Sequence, residues 1–296
     1  MLWAAIALTL LSAFFVALGS VAQQREAVRV DESGVALFLA LIRNPRWWAG
    51  WVGDTGGYIA QAGALALGSL LIVQPLMVTS LLFALPMSAR WNRRRIAASE
   101  LWWACVLIAA IGVFLVAGQP DTGVDVAPFS VWAPALIVLT VVVAGALVVV
   151  TTQTGRIRAV ALAVGAGCCY GVTSATTKSA MSLLGDGLGP LLTGWETYVV
   201  VVAAISGFTM HQLSFQAGSL ELSLPAITIL DPIIAAALGI TVLDETLRAD
   251  GAEWALIGAS LAAMVIGTIA LARAGVPKPP IGTRPDRARS PPRSAG

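Results

Sequence analysis

The sequence predicts an all-α membrane protein: nine transmembrane helices in two inverted four-helix repeats joined by a central fifth helix. Three observations predict it. Of the 296 residues, 57% are hydrophobic and only 11% charged, against roughly 25% charged in a soluble domain. Nine apolar segments have the length of about 20 residues that a bilayer requires, and at that length helices are the element that satisfies its own backbone in lipid. The first four segments also align with the last four at a nearly constant offset.

The nine segments are 2–23, 47–67, 70–90, 100–118, 131–151, 158–183, 191–216, 219–243 and 252–272. The first lacks a basic start and its apolar run is long for a signal peptide, so it is expected to be an uncleaved span. The stretch 33–42, SGVALFLALI, is too short to cross and is expected to be re-entrant or interfacial. The tail from 276 to 296 is rich in proline and arginine, which predicts disorder and either a solvated end that fixes topology or a basic segment resting on anionic lipid. Cys105, Cys168 and Cys169 all lie in apolar segments and form neither a metal spacing nor a disulfide framework.

The repeat rests on three alignments. ALGSLLIVQPL (66–76) lies over QAGSLELSLPA (216–226) at an offset of 150, sharing Gly-Ser-Leu and the proline. IGVFLVAG (111–118) lies over IGTIALAR (266–273), and LSAFFVALGSVAQQ (11–24) more weakly over AGCCYGVTSATTKS (166–179), both at 155. Residues 1–151 then hold one repeat plus the linking fifth helix, and 152–275 hold the second. Four spans plus one turn the second copy upside down, and inverted repeats of this kind place a transporter's substrate site near midplane between the halves.

Orientation follows from lysine and arginine. With residue 1 outside, every one of the 18 basic residues falls in a cytoplasmic segment except Arg248 and Lys178. The outer loops carry Asp121, Asp125, Asp186, Asp244, Glu245, Asp250 and Glu253 instead. This predicts a plasma (inner) membrane protein with its N-terminus outside and its C-terminus inside.

The richest stretch is Ser219 to Leu247, SLELSLPAITILDPIIAAALGITVLDETL. Pro225 and Pro232 each remove an N–H and free the carbonyl four residues earlier, those of Glu221 and Thr228. Glu221, Pro225, Thr228, Pro232, Ala235 and Gly239 fall on one helical stripe, while Leu222, Ile229, Ile233 and Ile240 suit lipid. The stretch reads as a broken helix lining a polar path, and Pro75 marks its counterpart in the first half.

Intramembrane ionisable residues are costly and mark sites. Asp231, at the centre of the eighth span, is expected to bind substrate or a proton; the structural alternative is a cap at Pro232 or a bond to a neighbouring helix. Lys178 shares a face with Gly171 and Ser174. It is expected to pair with Asp231 or Glu196, to bind an anionic group, or to snorkel to the outer interface. Glu196 lies between Trp195 and Tyr198, either in a site or solvated in an aromatic belt. Asp54, flanked by Gly53, Gly56 and Gly57, is a site carboxylate or a partner of Arg46 or the arginine cluster, and the glycines allow close helix approach. His211 reads as an interhelical hydrogen bonder, with Gln212, Gln61 and Gln74 as further polar groups inside spans. Glu221 sits near a wet span end, and Asp244 and Glu245 read as a solvated helix end. No nucleophile motif, Walker loop, Rossmann glycine pattern or His/Cys cluster appears, so the expectation is a transporter and not an enzyme.

The run PAITILDPIIAAALGITVLDETL, with Pro232, Gly239 and the ending Leu243-x-Glu245-x-Leu247, resembles the end of an EamA-type repeat of the drug/metabolite transporter superfamily. The run around Tyr170, Gly171 and Lys178 is similar to that repeat's first helix. Nine spans and the PRWWAG stretch before Gly53-Asp54 look more like the NIPA-type magnesium transporter branch. The chain departs from the pattern at Arg90–Arg95, where the first repeat lacks the acidic ending, and at Asp54, where a Glu is expected. The resemblance covers 2–273 and implies secondary transport of small polar metabolites or cations by alternating access. It implies no cofactor, with protons or a cation as coupling ions, and no assigned metal residue. The expected partners are the lipid bilayer, a small-molecule or ion substrate, and a second copy in a homodimer. A NIPA-like magnesium transporter or channel is one alternative, and a non-transporting membrane scaffold or lipid-handling partner protein is another.

Overall fold

The computed structural model describes residues 1–28, 45–91, 93–217 and 220–274. The expected re-entrant stretch 33–42 and the tail 276–296 lie outside the described residues. In chain order the helices are α1 (Leu2–Val28), α2 (Pro45–Leu67), α3 (Leu70–Met77), α4 (Ser80–Trp91), α5 (Ala98–Gly118) and α6 (Phe129–Thr152). There follow α7 (Gly155–Gly185), α8 (Leu188–Thr193), α9 (Trp195–Ala217), α10 (Leu220–Thr241) and α11 (Glu253–Ala274). Two short strands, β1 (Pro120–Asp121) and β2 (Thr246–Leu247), pair antiparallel.

Among the described residues, seven helices are long and apolar enough to cross a bilayer: α1, α3–α4 taken together, α5, α6, α7, α9 and α11. The chain is therefore an all-α, multi-pass membrane protein. The other two expected spans are also helical, as α2 and α10. In α2 the apolar run is diluted by Arg46, Asp54 and five glycines, and in α10 the described apolar helix is Ala226–Thr241.

The two sets of helices pack alike. In the first, α1 lies against α2 and against α3–α4. Ser12 Oγ donates to Gly57 O at 2.7 Å, and a Cβ on Gly68 would come within 2.9 Å of Ala5 Cβ, so α1 and α2 are antiparallel. The Phe14 and Phe83 rings sit edge-on, with centroids 5.8 Å apart, so α1 is parallel to α4. In the second set α7 lies against α9 and α10. Ser214 Oγ donates to Ala159 O at 2.8 Å and Gly207 meets Cys169, so α7 and α9 are antiparallel. Gly167 faces Leu230 and Gly171 faces Ile234, so α7 and α10 are parallel. The remaining helices of the two sets, α5 and α11, pack on each other.

Close approach in lipid needs small residues, because lipid tails are as apolar as leucine and packing alone must hold the helices together. A Cβ on Gly53 would lie 3.1 Å from Gly19 Cα, and one on Gly171 would lie 2.6 Å from Ile234 Cβ. Gly57 makes a similar contact with Val16, whereas Gly56 has room. One apolar core joins Leu65, Leu70, Val73, Trp132, Val172, Ala203 and Leu238 across α2, α3, α6, α7, α9 and α10. A second, with Ile72, Leu107, Phe114, Ile257 and Met264, fills the space between α3, α5 and α11.

The linking helix α6 is central in sequence only. It packs on α7 at the edge, and none of its most apolar window is buried, against 78% of the corresponding window in α7.

Two expectations about helix breaks are corrected. The first half breaks at Val78–Thr79, three residues after Pro75: the Thr79 N–H and Oγ1 both turn back to Leu76 O, at 3.0 and 2.6 Å. Pro75 itself stays inside α3. In the second half α10 runs unbroken through Pro225 and Pro232 to Thr241. A proline removes a single ladder bond, and the fit of Leu230 and Ile234 against Gly167 and Gly171 holds the helix axis on α7. The chain turns only after Thr241, at Asp244, whose φ is 55°. The stripe shows in its second half, where Ala235 and Gly239 are buried and Ile233 and Ile240 exposed, whereas Thr228, Pro232 and Ile229 are all half-buried.

Candidate functional site

The site grows out of α7. Its residues at helical spacing each touch a different neighbour. The Tyr170 hydroxyl meets His211 Nδ1 of α9 at 3.1 Å, with the rings edge-on. Ser174 Oγ faces Asp231 Oδ1 of α10 at 3.5 Å, a long hydrogen bond. Thr177 Oγ1 meets the Tyr58 hydroxyl of α2 at 2.7 Å. Lys178 Nζ donates to Glu245 Oε1 at 2.6 Å. Residues 173, 174 and 176–179 of α7 are all buried and all polar. Thr173 and Thr176 satisfy themselves on the carbonyls of Cys169 and Val172, at 2.8 and 2.7 Å. Ser174, Thr177 and Lys178 reach across, while Ser179 Oγ has no partner among the described residues, so α7 is a polar spine in an apolar bundle.

Glu245 is held by four hydrogen bonds to its carboxylate. It is 0% exposed, and besides Lys178 its carboxylate accepts from Ser69 Oγ at 2.7 Å, Leu70 N at 2.9 Å and Leu71 N at 3.1 Å. These donors form the first turn of α3, which Ser69 caps through Leu71 N at 3.0 Å. A carboxylate there meets orphan N–H groups and the positive end of the helix dipole. Its own N–H donates to Gly239 O at 2.9 Å, and a Cβ on Gly239 would sit 2.8 Å from Glu245 Oε2. Asp125, exposed on the loop after β1, stands 3.9 Å from Lys178 Nζ. That loop is tied down by Val124 N donating to Leu243 O at 2.7 Å.

The expected partners of Lys178 are therefore corrected: it pairs with neither Asp231 nor Glu196. α7 and α10 run parallel, with Gly171 level with Ile234. Lys178 stands seven residues, about 10 Å, further along, beyond the level of Asp231, where the chain leaving α10 brings Glu245. Glu245 is likewise not the solvated helix end expected; Asp244 is exposed, as expected. Glu196 is 3% exposed and not solvated. The Gly194 backbone lets its carboxylate fold back onto the start of α9.

Asp54 takes a hydrogen bond from Gln23 Nε2 of α1, and the side chain of Arg46, its expected partner, lies outside the described residues. Its carboxylate presses on Gly19, where a Cβ would collide with it. It lies toward the opposite end of the bundle from Lys178, since Gly19 is fourteen residues along α1 from Ala5. His211 holds Tyr170 as an interhelical hydrogen bonder. Gln61 and Gln212 are half-buried and make no hydrogen bond among the described residues. Gln74 is buried, and its Nε2 has no partner among them. Pro232 is half-buried beside Asp231. Among the described residues no three His, Cys, Asp or Glu side chains gather as a metal site.

Sequence reasoning missed Ser69, Gln23, Tyr58 and Thr177, and undervalued Glu245. Two signals were present. Ser69 precedes an apolar run as an N-cap should, and Glu245 is the acid of the Leu-x-Glu-x-Leu ending.

The fold and the spine define a polytopic helical membrane protein with ionisable and polar groups buried between its helices. The chain is 36% identical, over 273 residues, to the uncharacterized protein Cgl0250/cg0304 of Corynebacterium glutamicum, covering 91% of this chain and 94% of that one. It belongs to the same family as that protein. No protein-family model matches the chain, and no solved structure does.

Proposed function

We propose that the chain is a secondary transporter of small polar metabolites or cations, of the drug/metabolite transporter type, working by alternating access in the plasma membrane. The observation that carries the reading is Asp231: a carboxylate in the middle of a proline-bearing helix, turned onto Ser174 of the polar spine. Such a group is costly in a bilayer and is retained where it binds something. The helix packing supports it, since α1 meets α2 antiparallel and α3–α4 parallel, just as α7 meets α9 and α10. The starts of α1 and α3 lie at the same end of the bundle as the finish of α7, as two inverted copies require. In this reading α2 and α10 complete nine spans. The end bearing Glu245 faces outward and the arginine-rich end faces the cytoplasm. Asp231 binds the substrate or a coupling proton, with Ser174 and Tyr170 beside it.

The test has two stages. A thermal-shift screen of the purified full chain against a metabolite panel and divalent cations finds the ligand; at 100 times its Kd a ligand stabilises by about 2.7 kcal/mol. Flux of that solute into proteoliposomes then decides. Flux lost in Asp231→Asn supports the proposal. Magnesium flux that needs Asp54 moves the protein to the NIPA-like reading, and flux of nothing in a folded protein removes transport altogether.

A further inference from the structure

We infer that Lys178, Glu245 and Ser69 form the latch that shuts the arginine-poor mouth of the bundle, and that opening this mouth requires Glu245 to leave either the lysine or the first turn of α3. The inference rests on the transport reading.

Four separate pieces of chain meet around the Lys178–Glu245 pair. Lys178 comes from α7, Glu245 from the segment that follows α10, Ser69 with Leu70 and Leu71 from the α2–α3 turn, and Asp125 from the loop between α5 and α6. The junction therefore ties the first set of helices to the second. Glu245 and Lys178 are 0% and 2% exposed, so water does not compete for either. Glu245 acts as a hub, because one carboxylate satisfies a lysine, a hydroxyl and two N–H groups at once. Moving α3 away from α7 must break either the lysine pair or the three contacts to the first turn of α3 together, which makes the junction two-state and not gradual.

The opposite end is built differently. Among the described residues its ion pair is Arg94–Glu100, at 2.8 Å between residues six apart, and it spans only the α4–α5 connection. The bundle is thus clamped across its halves at one end and not by a matching described pair at the other. Ser174, facing Asp231, lies one helical turn inside the clamp on the same face of α7.

Solvent access to Ser174 tests the latch without any substrate. In a parent with Cys105, Cys168 and Cys169 replaced by alanine, Ser174→Cys is labelled with a membrane-impermeant maleimide in vesicles of each orientation. Asp186→Cys, exposed beyond the end of α7, marks which vesicles present the arginine-poor face. Labelling of Ser174→Cys from that face is expected to rise at least tenfold when Lys178→Met or Glu245→Gln is added. Unchanged labelling in variants that remain monodisperse overturns the latch and leaves the pair as a structural staple. Where those variants do not fold, Glu245→Asp, which keeps the charge and withdraws it by one methylene, decides by the same criterion. Variants that open to the label while no solute crosses in any background retain the latch and remove the transport reading.

Discussion

Lys178 Nζ lies 2.6 Å from Glu245 Oε1, and neither side chain reaches solvent. Removing one member of such a pair leaves the other buried and uncompensated, at a cost of about 3–5 kcal/mol. Glu245→Ala is expected to destabilise the protein on that scale and also to uncap α3. The double variant Lys178→Met/Glu245→Ala should be more stable than Glu245→Ala alone. Thermal unfolding in detergent, read by size-exclusion loss of monomer, checks the order. An unharmed Glu245→Ala would show that water enters the junction.

Helix α2 is held on α1 through glycine. Gly53→Leu places side-chain atoms where Gly19 Cα already stands, since even the Cβ would be 3.1 Å away. Overpacking of this kind costs about 1–3 kcal/mol or more. Gly112→Ala and Gly145→Ala meet nothing within 4 Å and should be neutral or gain up to about 1 kcal/mol from helix propensity. The contrast between the two groups, in the same thermal assay, is the readout.

Asp231→Asn keeps the shape of the group that faces Ser174 and removes its charge. Solute flux is expected to fall by at least tenfold with little change in thermal stability. Ser174→Ala deletes only one long hydrogen bond and should reduce flux less. Equal and small effects from both would mean that Asp231 merely bonds its neighbour.

Outside the membrane, the Arg248 side chain donates to Asp121 across the β1–β2 pair, and that hydrogen bond holds the Asp121 carboxyl below its usual range. A depressed carboxylate pKa stabilises the fold above its unfolded value and loses that effect as pH falls through the folded one. Wild type should therefore exceed Arg248→Ala in stability at neutral pH by a small margin that closes below about pH 4. The pair is open to solvent, so 0.5 M salt should close the margin as well. A margin that persists in acid or in high salt would mean that Arg248 acts by packing.

How much of this was legible in the residues depends on how local the determining physics is. Helix positions were legible, because hydrophobic run length in lipid is set along one strand of chain. The shared face of Gly171, Ser174 and Lys178 was legible from helical spacing. The course of α10 was not: two prolines suggest a break, and only the glycine-lined fit against α7 shows why the helix survives. Glu196 and Glu245 each lie near a span end, where sequence alone makes wetting the natural expectation, and folding buried both.

By itself the sequence determined the membrane class, the places where helices form, the asymmetry of charge between the two ends, and the cost of every ionisable group placed among apolar ones. It offered Asp231 and Glu196 as partners for Lys178 and left Glu245 as a solvated helix end. Only the tertiary structure brought Glu245 to the lysine. The parallel register of α7 and α10, fixed by Gly167 and Gly171, carries Lys178 past Asp231 to the level of Glu245. The first turn of α3 supplies the N–H groups that make burial of the carboxylate tolerable there. A charge pair inside a bilayer is decided by depth and by who else can solvate it, and both are properties of the packed bundle.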